Sequence, residues 1–261
     1  MLSQVKRKAI IDFSVSTGPY QLFLDEITEL AKRKESSAVF FANVHMFAEA
    51  HKDAGFRSMV TNADIVAPDG VPIGWALRWL YGIKQDRVAG MDVLPAMLER
   101  MEKENLSVYF YGGTQDMLDK TAVYLKEKYP ALQIAGLYSP PFRKLSEAEE
   151  EEVINKINAT NPAIVFVVLG CPQQEKWSAN MTGRVNAVMA AVGGALPVFI
   201  GMKKRAPVWM RNFGLEWLFR FSQEPKRLFK RYVTTNSLFI WVMLKAVLKM
   251  RILVPLKLAK A

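Results

Sequence analysis

The chain contains few of the residues that build disulfides and metal sites. Its 261 residues include one cysteine and two histidines. The single cysteine, Cys171, excludes a disulfide within the chain and suits a reducing cytoplasm. His45 and His51 are spaced so that they do not share a helix face, as a metal-binding pair on a helix would. We therefore expect no metal site and an unreactive Cys171.

The chain also lacks the sequence motifs of common nucleotide-binding enzymes. Neither GxGxxG nor GxxxxGK[ST] occurs, which removes the main support for a dinucleotide-dependent oxidoreductase or a P-loop enzyme. No DxD triplet or other carboxylate cluster is present to clamp a metal-bound diphosphate. If a diphosphate binds, arginine, lysine and backbone N–H groups must therefore meet its charge.

Acidic residues are scarce in the C-terminal region and absent after Glu224. Residues 201–261 contain 14 Lys and Arg but two Glu, a balance of +12, whereas residues 1–200 contain 21 basic and 23 acidic side chains. This asymmetry indicates an anionic partner for the C-terminal region: a phosphate ligand, nucleic acid or acidic lipid. A solvated basic helix is the alternative, although seven aromatic rings are interleaved with the basic residues of segment 205–232.

Long apolar runs are missing as well. In the segment after residue 232, the longest uninterrupted apolar run is residues 238–244, far shorter than the roughly 20 residues that span a bilayer. Lys245 and Lys249 fall on one helix face among Leu, Ile, Val, Phe and Trp. The pattern predicts a helix lying in the interface of an anionic leaflet. A helix packed on the core and a short anchored span with snorkelling lysines remain open.

What the chain does contain is a regular alternation of strand and helix patterns. The hydrophobic fraction of 51% is enough for a sizeable core. The N-terminal basic residues are followed by a short apolar stretch that predicts a first strand and not a signal peptide. Further strands are predicted at 38–43, 64–68, 107–113, 132–138, 163–170 and 185–194. Amphipathic helices are predicted at 20–34, 91–104, 115–129, 146–159 and 173–182. These elements predict an α/β fold with a parallel sheet flanked by helices.

Composition changes near residue 200, so we predict a globular domain at 1–200 and a C-terminal appendage at 201–261. Ligands of parallel sheets bind beyond the carboxyl ends of the strands. Three strand ends carry suitable residues: Gly112 and Gly113 before a helix start, Asp69 in an Asp-Gly turn, and Gln174 and Glu175 in a first helical turn. Ordinary turn formation and helix capping explain the same residues equally well.

Several collinear segments resemble the WecG/TagA/CpsF family of bacterial glycosyltransferases, also called glycosyltransferase family 26. They run from "ANVHMFAEA" through "ADIVAPDGVPIGWAL", "RVAGMDVLPAML", "YFYGGTQ", "LGCPQQEKW" and "VGGALPVFIGMKKRAP" to "GLEWLFRFSQEPKRL". The resemblance implies a Rossmann-like core and an inverting transfer from a UDP-sugar to a polyprenyl-diphosphate-linked saccharide. It implies no metal and no cofactor other than the UDP-sugar as co-substrate. It also implies peripheral association with the inner face of the cell membrane, in envelope or exopolysaccharide synthesis.

The resemblance also suggests roles for individual residues. Asp69 matches the family's proposed catalytic aspartate, and Arg87 matches an active-site position. The appendage arginines expected to reach the nucleotide diphosphate are Arg220, Arg227 and Arg231. The polar positions expected to hold sugar or nucleotide are Asn43 and Gln174.

Two positions depart from the family pattern. Phe41 stands where many members have Thr, and Pro197 stands where many have Asp. We expect both to lie near the ligand crevice, so the donor sugar need not be N-acetylmannosamine, and a glucosyl donor remains open.

A different class of function is a non-enzymatic basic nucleic-acid-binding protein that uses the C-terminal region. The strongly apolar helix after residue 232 argues against nucleic acid as a partner, because nucleic acid would not bury it. An anionic membrane surface suits both its charge and its apolar residues. The sequence leaves homo-oligomer formation open.

Overall fold

The computed structural model describes residues 5–11 and 13–258, with residues 212 and 249–258 described by their backbone alone. The chain begins with an antiparallel ribbon of β1 (Lys6–Ile10) and β2 (Phe13–Thr17). The predicted first strand is thus present, but it lies outside the main sheet.

Six parallel strands form the main sheet, and each corresponds to one predicted strand. They are β3 (Ser37–Ala42), β4 (Ile65–Pro68), β5 (Val108–Gly112), β6 (Ile134–Tyr138), β7 (Ile164–Val168) and β8 (Val188–Ala191). The order across the sheet is β4-β3-β8-β7-β5-β6. The α/β fold predicted from the sequence is confirmed.

Helices cover both faces of this sheet. They are α1 (Tyr20–Arg33), α2 (Val44–Lys52), α3 (Ala54–Asn62), α4 (Val71–Tyr81), α5 (Gly90–Lys103), α6 (Gln115–Lys128), α7 (Glu147–Thr160), α8 (Gln173–Met181) and α9 (Ala195–Phe199). Along β3, Val39 and Phe41 join one apolar core, whereas Phe40 and Ala42 join another. Alternate side chains of a strand point to opposite faces, so the sheet is buried on both sides.

The C-terminal region is helical and packs on the body. It contains α10 (Val208–Asn212), α11 (Glu216–Gln223) and α12 (Pro225–Leu258). Phe239, Val242 and Met243 of α12 are buried in the core beneath α2 and α4. The ring of Phe239 meets that of Phe47 edge-on, with centroids 5.1 Å apart. One face of α12 therefore packs on the core, as one of the interpretations of the sequence predicted.

The other face of α12 is apolar and exposed. Its exposed large side chains are Phe229, Val233, Ile240, Trp241, Leu244 and Leu248. The Lys245 ammonium lies 3.5 Å from the centroid of the Trp241 ring, whereas the side chain of Lys249 lies outside the described residues. Within the described part of the chain, no helix has the length and apolar character needed to cross a membrane.

Candidate active site

A cavity of about 1040 Å³ lies between the carboxyl edge of the sheet and the appendage. Residues that follow β3, β4, β7 and β8 form its floor, and α11 and α12 form its roof. These four strands are neighbours in the sheet, so the turns after them come together. The volume is at the upper end of the range expected for a site that encloses a small-molecule ligand.

Asp69 comes directly after β4 and lines this cavity. Its backbone N–H donates to the carbonyl of Ala42 at 2.8 Å, and Gly70 then turns the chain into α4 with φ 96°. Burial raises the pKa of the Asp69 carboxyl to about 7, while Arg87 and Arg220 act in the opposite direction and Glu216 adds to the rise. A carboxyl with this pKa can exchange a proton near neutral pH.

Arg87 does not itself line the cavity, but it pairs with Glu216, which does. Its guanidinium contacts Glu216 at 2.8 Å and Asp92 at 2.6 Å. Asp92 also pairs with Arg205 at the start of the appendage. Arg87 therefore connects the body to the appendage and contributes positive charge near Asp69.

Three appendage arginines line the cavity: Arg220, Arg227 and Arg231. Arg227 pairs with Glu224. The guanidinium of Arg220 lies against Gly194, where an added Cβ would be 3.2 Å from Nη2. Among the described residues, no carboxylate is within ion-pair distance of Arg220 or Arg231, which leaves both charges available to an anion.

Asn43 follows β3 and lines the cavity while capping α2. Its Oδ1 accepts hydrogen bonds from the backbone N–H groups of His45 at 3.0 Å and Met46 at 3.1 Å. The capping explanation is therefore correct for Oδ1. The amide nitrogen Nδ2 is the remaining polar group that a ligand could use.

Gln174 and Glu175 form a buried polar pair in the cavity wall. The Gln174 side chain accepts from the Gly170 N–H at 3.1 Å and donates to the Ala191 carbonyl at 3.0 Å and to Glu175 at 2.8 Å. Burial raises the pKa of Glu175 to about 7. Its second carboxylate oxygen has no hydrogen-bond partner within the described residues. Gly193 must stay small here, because an added Cβ would be 2.5 Å from the Gln174 oxygen.

The structure does not bring Gly112 and Gly113 to the cavity. Gly112 ends β5, where an added Cβ would be 2.6 Å from the Val168 carbonyl oxygen of β7. Thr114 then caps α6 by accepting from the Met117 N–H. Close strand packing and helix capping thus explain the Gly-Gly turn.

The two departures from the family pattern differ in position. Phe41 lines the cavity, beside Gly90, where an added Cβ would be 3.4 Å from its ring. Pro197 is buried within α9, two residues after the lining residue Ala195, and is not itself part of the cavity lining. It therefore lies near the cavity without contributing to its wall.

The histidine and cysteine residues do not form a metal site. Within the described ranges, no group of three or more His, Cys, Asp and Glu side chains could hold a metal ion. Cys171 and His45 both line the cavity. Burial strongly raises the pKa of the Cys171 thiol, so little thiolate forms, and burial followed by the charge of Arg231 lowers the pKa of His45.

Three tryptophans that were not predicted from the sequence line the cavity: Trp75, Trp79 and Trp217. Trp75 and Trp79 stand one helical turn apart on α4, with ring centroids 6.1 Å apart and an interplanar angle of 29°. Both are more than half exposed. Helical spacing in "PIGWALRW" could have placed them on one face, but it could not have shown what that face borders.

Comparison with known proteins finds a matching family and related proteins. The family described as "Glycosyl transferase WecG/TagA/CpsF family" matches residues 8–252. A protein of Bacillus spizizenii is 32% identical over 203 residues, 77% of each chain. Others are from Bacillus subtilis, 31% identical over 196 residues and 75% of each chain, and Staphylococcus aureus, 26% identical over 216 residues, 77% of this chain and 82% of the relative. All three are named N-acetylglucosaminyldiphosphoundecaprenol N-acetyl-beta-D-mannosaminyltransferase.

Proposed function

The chain belongs to the WecG/TagA/CpsF glycosyltransferase family, and on this premise we propose that it moves a hexose or N-acetylhexosamine from a UDP-sugar to a polyprenyl-diphosphate-linked saccharide. The supporting observation is that Asp69 and three arginines of the appendage line one cavity. The names of the relatives, which specify an N-acetylmannosaminyl group and a diphosphoundecaprenol acceptor, support the choice of substrates.

In the proposed reaction, Asp69 is the general base. It removes the proton from the acceptor hydroxyl as that oxygen attacks the anomeric carbon, while the bond from this carbon to the UDP oxygen breaks. Attack from the face opposite to UDP inverts the configuration. A pKa near 7 suits a base working at neutral pH, because the carboxylate is available yet still basic.

The departing UDP carries away a negative charge that the arginines would stabilise. Arg220 and Arg231 have no acidic partner among the described residues, and Arg227 could exchange Glu224 for a phosphate. Guanidinium groups bind phosphate oxygens in a bidentate way, and partial exclusion of water strengthens the interaction. We propose that these cations take the place of a metal ion.

The residues that would select the donor sugar are Phe41 and the polar groups of the lining near it. Phe41 presents a ring where a hydroxyl is common in the family, so it offers a sugar no hydrogen bond at that position. Asn43 Nδ2 and Glu175 are polar groups of the lining that could replace it. N-acetylmannosamine and glucose remain the two donor classes to compare.

The exposed apolar face of α12, together with the basic charge of the region, supports an anionic membrane surface as a partner. We propose peripheral binding at the inner face of the cell membrane. Substituting both Trp241 and Leu248 with serine should reduce sedimentation with anionic vesicles. Undiminished sedimentation would exclude this face as the contact.

The decisive experiment offers the purified protein UDP-N-acetylmannosamine, UDP-glucose and UDP-N-acetylglucosamine together with a lipid-diphosphate saccharide, with and without a metal chelator. Mass spectrometry and NMR identify the product and its anomeric configuration. We expect an inverted linkage that is insensitive to the chelator. Failure to bind or turn over any UDP-sugar, together with RNA or DNA binding that weakens steeply with salt, would favour the nucleic-acid-binding alternative.

A further inference from the structure

Along α12, the apolar part of the cavity lining follows the arginines. Along α12, the lining begins with the charged and polar residues Arg227, Arg231, Thr235 and Asn236 and continues with Phe239, Ile240, Met243, Leu244 and Val247. From Arg231 to Val247 the helix extends about 24 Å at 1.5 Å per residue. One wall thus changes from cationic to wholly apolar along its length.

A second apolar wall lines the same cavity. Trp75 and Trp79 of α4 line it with their stacked rings, and α4 and α12 are direct neighbours. The appendage also meets α4 at Gly214, where an added Cβ would be 2.9 Å from Val71. The N-terminal end of α4 is therefore held against the appendage.

These side chains are unusually exposed for their type. Trp75 is 52% exposed and Trp79 55%, and on the opposite wall Ile240 and Leu244 are 57% and 58% exposed. Contiguous exposed apolar surface beside a ligand cavity marks a place where apolar material binds. Stacked indole rings offer a large, rigid surface for such contacts.

We propose that Trp75, Trp79, Ile240 and Leu244 form a groove for the first isoprene units of the lipid-linked acceptor, with the acceptor's diphosphate at the polar end of α12, beside the arginines that would hold the donor's diphosphate. This assignment rests on the proposed function and adds a binding subsite to it. The occupant follows from the arrangement of charge. A molecule with a diphosphate joined to an unbranched line of apolar units matches a wall that is cationic at one end and apolar beyond it. A free nucleotide or sugar has nothing to cover the apolar end.

The test compares two acceptors that carry the same saccharide diphosphate, one esterified with farnesol and the other with methanol, in solution without vesicles. We expect the wild type to have a far lower KM for the farnesyl acceptor. Trp75→Ala/Trp79→Ala should raise the KM for that acceptor by about tenfold or more, given the apolar area lost. The ratio of the two KM values should fall toward one.

A variant of the other wall and a matched tryptophan control sharpen the test. Ile240→Ser/Leu244→Ser should lower the same KM ratio. Trp209→Ala removes an indole ring that is 58% exposed but lies outside the cavity lining, and it should leave the ratio as in the wild type. If the KM ratio is unchanged in both groove variants, or falls equally in Trp209→Ala, the groove does not bind the isoprene units of the acceptor. The apolar face would then act only on the bilayer.

Binding without turnover separates failure of the groove from failure of the proposed transfer. Calorimetry should show that farnesyl diphosphate binds the wild type more tightly than inorganic diphosphate, and that this difference shrinks in Trp75→Ala/Trp79→Ala. This result, without any sugar transfer, would support the groove and refute the donor chemistry. Transfer to the methyl acceptor with no preference for farnesyl diphosphate would refute the groove alone.

Discussion

Arg87 and Glu216, 129 positions apart in the chain, are joined by an ion pair of 2.8 Å between Nη1 and Oε2. Their side chains are 26% and 15% exposed, so the pair is largely withdrawn from water. Glu216 is the first residue of α11, which carries Arg220 toward the cavity. This contact therefore helps to hold the roof of the cavity over its floor.

Replacing Glu216 with glutamine should loosen the appendage. The substitution leaves part of the Arg87 charge uncompensated. We expect this to cost about 1–3 kcal/mol of the free energy with which the appendage packs on the body. Limited proteolysis in segment 201–215 should become faster, and kcat/KM should fall. Asp116→Asn, which breaks the exposed pair with Lys120, is the control and should leave proteolysis unchanged. Wild-type resistance in Glu216→Gln would mean that other contacts hold the roof.

Replacing Asp69 with asparagine should remove the base but keep the shape of the site. We expect kcat to fall by a factor of about 10² to 10⁴ while affinity for UDP changes little. In the wild type, kcat/KM should decline as the pH falls below about 7, because the carboxylate becomes protonated. Steady-state kinetics and calorimetry with UDP check these outcomes. A variant with wild-type kcat would exclude Asp69 as the base.

The same carboxyl should make the fold less stable as the pH rises. Its pKa is raised from 3.8 in a free side chain to about 7 in the folded chain, so the folded state holds a proton that the unfolded state releases in this window. Stability from this group is present below pH 3.8 and is lost as the pH rises through about 7. Asp69→Asn should therefore have a higher melting temperature than the wild type above about pH 7 and a similar melting temperature below pH 3.8. Equal melting curves above pH 7 would contradict the buried carboxylate.

The arginines of the roof should not contribute equally. Arg231 has no acidic partner among the described residues, whereas Arg227 must give up Glu224 before it can bind phosphate. We expect Arg231→Gln to weaken UDP binding more than Arg227→Gln does, by about tenfold if one charge-assisted contact is lost. Titration with UDP at several salt concentrations measures this. Arg184→Gln, on the opposite side of the molecule among Glu150 and Glu151, serves as control.

Gly193 should tolerate no side chain. An alanine Cβ there would be 2.5 Å from the Gln174 oxygen, which must move and lose its contact with the Gly170 N–H. We expect Gly193→Ala to lower activity by displacing Gln174. Gly201→Ala is the matched control, because Gly201 also has a positive φ but an added Cβ meets no atom within 4 Å. If both variants lose activity equally, backbone strain and not the contact with Gln174 is responsible.

The strands and one cluster of site residues could be predicted because local patterns determine them. Apolar runs such as "AIVFVV" are buried on both faces in any parallel sheet. Asp69, Asn43 and Gln174 could be predicted to lie together because each follows a strand, and strand ends of parallel sheets share an edge. Helices α2 and α4 were missed because each begins within three residues of the end of the preceding strand, and α3 was missed because it follows α2 after the single residue Asp53.

Other features depend on pairing that no local pattern contains. Gly112 and Gly113 also stand at a strand end, but the order of the sheet places β5 beyond β7, away from the cavity. The Arg87 contact with Glu216 depends on how the appendage folds back, and so does the neighbourhood of Trp75 and Trp79. The sequence shows that these residues are charged or aromatic, but the residues that they contact are determined by the three-dimensional arrangement.

Because α12 carries Arg227 and Arg231 as well as the apolar lining, the relative orientation of the two is fixed by helical phase. Each residue turns the helix by about 100°. One extra residue between Thr235 and Phe239 would swing the downstream side chains a quarter turn or more away from the cavity, and Phe239 out of the core. The length of this stretch is therefore as constrained as its composition, even though the residues within it bear no charge and perform no chemistry.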